Sequence, residues 1–121
     1  MATVLIADDE PAIRQVISLT LSRLGHRVLA AVDGEEALVL ARAHEPDLVV
    51  SDVAMPRRSG TALLEALRRH PRLARIPVIL VSAAAEPDGA AGAFAFLPKP
   101  FQLLELERLV EGALEHAARA A

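Results

Sequence analysis

Short β-branched apolar runs alternate along this chain with longer segments whose apolar residues recur every three or four positions. The first run, 3–7, ends in Asp8-Asp9-Glu10, and Pro11 then suits the first turn of a helix. Ile13, Val16, Ile17, Leu21 and Leu24 follow at the spacing of one helix face, and Gly25 marks the stop. Residues 27–31 read as a second strand. Asp33 caps the next helix, which carries Ala37, Leu38 and Ala41 inward and ends before Pro46. The run 47–51 is a third strand, apolar on both faces, as in a parallel sheet covered by helices. A loop over 52–60 leads to a helix with Leu63, Leu64 and Leu67 inward, and 77–82 is a second strand of the doubly buried kind. Residues 83–92 are weakly patterned. A short fifth strand is expected at 93–97 and a last helix from about 102 to 118, with Leu103, Leu106, Leu109, Val110, Ala113 and Leu114 inward and a fraying tail. Five β–α units in strict alternation predict an α/β domain, one parallel sheet with right-handed crossovers and helices on both faces.

Composition narrows the function. The 121 residues suit one domain, 1–121, with a real core, and 53% hydrophobic against 24% charged residues excludes general disorder. Three Phe with no Trp or Tyr leave no aromatic platform for single-stranded nucleic acid. A net charge of −3 argues against direct nucleic-acid binding through phosphates. The absence of Cys excludes disulfides, thiolate metal sites and a Cys nucleophile. No signal peptide or membrane-length apolar run is visible, so a cytoplasmic protein without membrane contact is expected.

In open α/β sheets, sites form beyond the carboxyl ends of the strands. Here the first strand ends in Asp8-Asp9, the third in Asp52 and the fourth in Ser82, and Lys99-Pro100 follows the fifth. Three carboxylates, a hydroxyl and an ammonium can therefore converge on one edge. Carboxylates gathered this way repel, and a hard divalent ion such as Mg²⁺ resolves the repulsion. The same ion can bridge a carboxylate to a phosphoryl group. Lys99 is the only lysine among thirteen basic residues, which suits a place where a compact ammonium is wanted. Taken singly, the residues have plainer readings. Asp8 and Asp9 favour a helix dipole, and Ser82 can be a satisfied strand-end hydroxyl. The four His show no ligand spacing and read as solvated, as does the cluster of Arg68, Arg69, Arg72 and Arg75.

With Asp8-Asp9, Asp52, Met55-Pro56, Gly60, Ser82-Ala83, Phe96 and Lys99-Pro100-Phe101 in view, the whole chain resembles the receiver domain of the two-component response-regulator family. The resemblance implies a flavodoxin-like, doubly wound, five-stranded parallel sheet in the order 2-1-3-4-5. It implies that Asp52 is the phosphoacceptor, taking a phosphoryl group from a sensor histidine kinase, a phosphotransfer protein or a small phosphodonor. Asp9, Asp52 and the backbone carbonyl of Ala54 would ligate Mg²⁺ directly, and Asp8 through water. Lys99 and Ser82 would bind the phosphoryl oxygens, with Ser82 and Phe96 as the switch pair. The Lys99-Pro100 bond is expected to be cis.

Two departures from the family pattern stand out. The stretch between Ser82 and Phe96 is short and holds Pro87, Gly89 and Gly92, so a shortened fourth helix is expected there. Ala54 and Ala84 occupy positions that tune the attacking water in the family, and neither side chain can hydrogen-bond it. The resemblance makes the chain a signalling module that catalyses only its own phosphorylation and slow dephosphorylation. It would modulate an unidentified downstream protein, as a monomer or weak homodimer, either standing alone or excised from a longer chain. The alternatives are a non-phosphorylated pseudo-receiver that only docks and a Mg²⁺-dependent phosphatase with an aspartyl nucleophile. The latter, as in the haloacid dehalogenase group, wants an acid at position 54. A flavin or nucleotide module would need a phosphate loop where Asp8-Asp9-Glu10 stands.

Overall fold

Five parallel strands pair in the order β2-β1-β3-β4-β5 in the computed structural model, which describes residues 1–120. In chain order the elements are β1 (Thr3–Ala7), α1 (Pro11–Arg23), β2 (Arg27–Ala31), α2 (Gly34–His44), β3 (Leu48–Asp52), α3 (Gly60–Arg69), β4 (Val78–Ser82), β5 (Ala95–Pro98) and α4 (Leu103–Ala120). The two runs read as apolar on both faces are the buried central strands β3 and β4. Alternate residues of the strands feed two cores. Leu5, Val49 and Leu80 pack with Leu63, Leu64 and Leu67 of α3 and Ala37, Leu38 and Ala41 of α2. Val4, Ile6, Val50 and Ile79 pack with Ile17 and Leu21 of α1 and Leu106, Val110 and Ala113 of α4. This is the two-sided burial a parallel sheet demands.

Three expectations need correction. No helix stands between β4 and β5: residues 83–94 run through turns and bends, so the alternation is broken once and the expected shortened helix is absent. Gly89 takes a φ of 87° there, in the left-handed region, and Pro87 just before it withholds a helical N–H donor. The inward faces of the first and last helices are narrower than their periodicity suggests. Val16, Leu24 and Leu103 are exposed: Leu24 lies just past α1, Leu103 opens α4, and Val16 stands outside the one stripe that α1 buries. The last helix runs on to Ala120 where fraying was expected, and Ala121 lies outside the described residues. Among the described residues no helix is long and apolar enough to cross a membrane.

Candidate functional site

The strand order reverses between β1 and β3, and this is where the carboxylates gather. Asp8 follows β1 directly and is buried. Its backbone N–H donates to the Ala31 carbonyl at 3.2 Å, and its Oδ1 accepts the Glu10 N–H at 2.9 Å. Asp52 is the last residue of β3, also buried. Lys99 follows β5, and its N–H donates to the Ser82 carbonyl at 2.7 Å, which straps the exit of β5 to the end of β4. The Lys99-Pro100 bond is cis, as expected.

One ammonium serves three carboxylates. Lys99 Nζ lies 3.4 Å from Asp8 Oδ2, 3.2 Å from Glu10 Oε1 and 3.6 Å from Asp52 Oδ2. Burial pushes the Asp52 carboxyl above its ordinary range. Lys99 counteracts this, while Asp8 and Asp9 push further upward. Burial alone would lower the Lys99 ammonium, but Asp8, Glu10 and Asp52 together hold it above the ordinary lysine range. Asp8, Glu10 and Asp52 each offer an oxygen within 4.8 Å of the others. Carboxylates outnumber the cation, and this all-oxygen donor set fits a hard divalent ion such as Mg²⁺.

The loop over 53–59 is held from both ends. At its far end Gly60 opens α3, with its N–H on the Val53 carbonyl at 2.9 Å. Ser59 caps that helix by accepting the Ala62 N–H at 3.2 Å. At its middle, Arg57 Nε donates to Asp33 Oδ2 at 2.7 Å and Arg58 Nε to Glu35 Oε1 at 2.8 Å. Asp33 also caps α2, as its sequence position suggests, through Oδ1 on the Glu36 N–H at 2.8 Å.

The structure brings Asp8, Asp52 and Lys99 together as the sequence suggests. Asp9 is exposed and lies outside the close trio, where Glu10 stands in its place. Ser82 is buried at the end of β4, where its Oγ accepts the Ala84 N–H at 3.0 Å. Phe96 is half-buried in β5 against the α3-side core. Ala54 and Ala84 are exposed. Sequence reasoning passed over Glu10, whose place beside Asp8-Asp9 was the available signal. Two residues read as solvated are not. The His26 side chain is only 10% exposed, between the Ala2 N–H on Nδ1 and Glu111 on Nε2, each at 3.3 Å. Arg68 is half-buried and bonded to two backbone carbonyls.

Comparison with known proteins agrees with this geometry. The profile of the response regulator receiver domain matches residues 4–111. The DNA-binding transcriptional regulator NtrC of Salmonella typhimurium is 38% identical over 117 residues, covering 92% of this chain and 24% of that protein. The chain spans between 24% and 52% of the length of the first curated relatives it matches. The chemotaxis protein CheY4 of Vibrio cholerae superposes with a TM-score of 0.88 at 33% identity, over 93% of this chain and 98% of that one. The receiver domain of a Pseudomonas aeruginosa sensor histidine kinase, with a magnesium ion coordinated in its active site cleft, gives 0.87 at 28% identity, over 94% and 98%. The chain belongs to the response regulator receiver domain family of two-component systems. Membership of that family implies phosphorylation-activated signalling.

Proposed function

We propose that Asp52 is the phosphoacceptor of this receiver and that the loops after β4 and β5 carry its switch. The observation that carries the reading is the Lys99 ammonium between Asp8 and Asp52, at 3.4 and 3.6 Å, at the reversal of strand order. An Asp52 carboxylate oxygen attacks the phosphorus of a phosphohistidine. The P–N bond breaks with its electron pair staying on the imidazole, and a mixed carboxylic–phosphoric anhydride forms. With acetyl phosphate the P–O bond breaks instead and acetate leaves. Desolvation raises the basicity of Asp52 and so its strength as a nucleophile.

Lys99, already drawn in by carboxylates, pairs with a phosphoryl oxygen as a point charge. The Ser82 hydroxyl turns from the Ala84 N–H that it accepts to donate its own O–H to another phosphoryl oxygen, and half-buried Phe96 follows it. Asp9, Asp52 and the Ala54 carbonyl would hold Mg²⁺, with Asp8 acting through water. When bound, the ion neutralises the charge of the carboxylates and the phosphoryl oxygens. The donors are a sensor histidine kinase or phosphotransfer protein, and the output is binding to a downstream protein. Intact-protein mass spectrometry after acetyl phosphate treatment tests this. A single phosphoryl increment that requires Mg²⁺ and vanishes in Asp52→Asn is expected; normal uptake in that variant would sink the assignment.

A further inference from the structure

Between Ser82 and Phe96 the backbone has no helix to hold it, and a side chain of α3 takes over. Arg68 Nη1 donates to the Ile76 carbonyl at 2.7 Å and Nη2 to the Gly92 carbonyl at 2.9 Å. The first carbonyl stands just before β4 and the second just before β5. One guanidinium therefore ties the entries of both strands to α3. Burial lowers the Arg68 pKa, yet a guanidinium stays charged in proteins, so both bonds are charge-assisted. On the other side, the Phe94 ring packs on His116 of α4 at a centroid distance of 5.6 Å. The segment's own backbone adds little, with Ala93 N–H on Ala90 at 3.0 Å and Phe94 N–H on Val78 at 2.8 Å. At its start, the Ala84 N–H is bonded to Ser82 Oγ at 3.0 Å. Among the described residues, the two side-chain hydrogen bonds to this segment thus come from the proposed switch hydroxyl at one end and from Arg68 at the other.

We propose that Arg68 is the latch of the resting state, a positioning residue that holds residues 83–94 where Ser82 Oγ stays engaged with Ala84. The proposal rests on the reading of Asp52 as phosphoacceptor and Ser82 as its switch partner. A contact made in one state only biases the equilibrium between states by its own free energy. Losing the clasp therefore weakens the segment's protection and favours the phosphoryl-bound conformation.

The test compares wild type with Arg68→Met, which keeps the apolar stem, and Arg68→Lys, which keeps the charge but not the fork. Amide hydrogen exchange on the unphosphorylated proteins comes first. The Ala93 and Phe94 amides in Arg68→Met should exchange about tenfold faster, the loss of one charge-assisted hydrogen bond, with β1 and β3 unchanged. Titration with beryllium fluoride and Mg²⁺, as the phosphoryl mimic, follows. Arg68→Met should bind about tenfold more tightly than wild type, with Arg68→Lys between them. Unchanged exchange would overturn the latch, and so would faster exchange with unchanged affinity, which would leave Arg68 a purely structural clasp. If Arg68→Met does not fold, Arg68→Lys must show both shifts in reduced size or the latch fails. Absence of binding by wild type would instead overturn the phosphoacceptor reading, and the latch with it.

Discussion

Gly60 sits so close to the end of β3 that a Cβ on it would lie 2.3 Å from the carbonyl oxygen of Asp52. The first turn of α3 thereby rests directly on the backbone of the proposed phosphoacceptor. Gly60→Ala forces one of the two apart, and neither is a flexible side-chain end. Overpacking of this kind costs roughly 1–3 kcal/mol. The urea midpoint should fall accordingly at unchanged slope. An unaltered midpoint would show that α3 can slide without disturbing Asp52.

Asp52→Asn should make the metal-free protein more stable at neutral pH. The folded-state pKa of Asp52 is raised, first by burial. Below the ordinary aspartate value the group is protonated in both states and contributes nothing. Between that value and the raised one, the unfolded chain has released its proton and the folded chain has not, so stability falls as pH rises. Above the raised value the penalty is constant. Asn carries no such penalty. Thermal unfolding against pH should show the two proteins converging in acid and diverging towards neutrality. A wild type more stable than Asp52→Asn at pH 7 without metal would refute the argument.

Lys99 carries the opposite sign. Burial alone would lower its pKa, but Asp8, Glu10 and Asp52 raise it overall. Its stabilising contribution is fully present below the ordinary lysine value and is lost only as pH rises through the folded one. Lys99→Met removes it at neutral pH and leaves Asp8 and Asp52 buried without their ammonium. A destabilisation of about 1–3 kcal/mol at pH 7 is expected, shrinking in acid as Asp52 protonates. Urea midpoints at two pH values read this out, and a loss independent of pH would assign it to packing alone.

How far these residues were legible in sequence depended on what positioned them. Asp8 and Asp52 stand at the ends of strands with plain apolar runs, so placing those strands placed the charges, while Lys99 follows a short fifth strand with a weaker pattern. Glu10 belongs to the cluster only because the turn after β1 folds its backbone N–H onto Asp8, and no periodicity reports that turn. Arg68 falls in a run of arginines that looks solvated. The missing helix between β4 and β5 leaves the Gly92 carbonyl for its guanidinium, which also meets the Ile76 carbonyl ahead of β4. Pro87, Gly89 and Gly92 did signal a weak helix there, but propensity could not say that the helix is lost altogether.

Asp33 should matter more than a cap. Its Oδ1 accepts the Glu36 N–H at 2.8 Å and its Oδ2 accepts Arg57 Nε at 2.7 Å. Asp33→Ala should cost about 0.5–2 kcal/mol, chiefly through the cap. Asp33→Asn keeps a capping oxygen and removes the charge facing a largely exposed Arg57, so it should recover most of that loss. Chemical denaturation of both variants separates the two contributions. Equal losses would put the energy in the ion pair rather than the cap.

Two neighbouring acids compete for the role of direct metal ligand. Asp9 is exposed and near enough for its charge to raise Asp52, whereas Glu10 lies in the close trio and is paired with Lys99 at 3.2 Å. Glu10 is a mostly exposed side chain that meets the cluster at Lys99, so its carboxylate is already partly neutralised. Asp9→Ala should therefore weaken Mg²⁺ binding about tenfold or more. Glu10→Ala should weaken it much less, because an exposed ion pair contributes little. Calorimetric titration of Mg²⁺ into both variants decides the order. A larger loss in Glu10→Ala would move direct coordination from Asp9 to Glu10 and make the trio of Asp8, Glu10 and Asp52 the metal site itself.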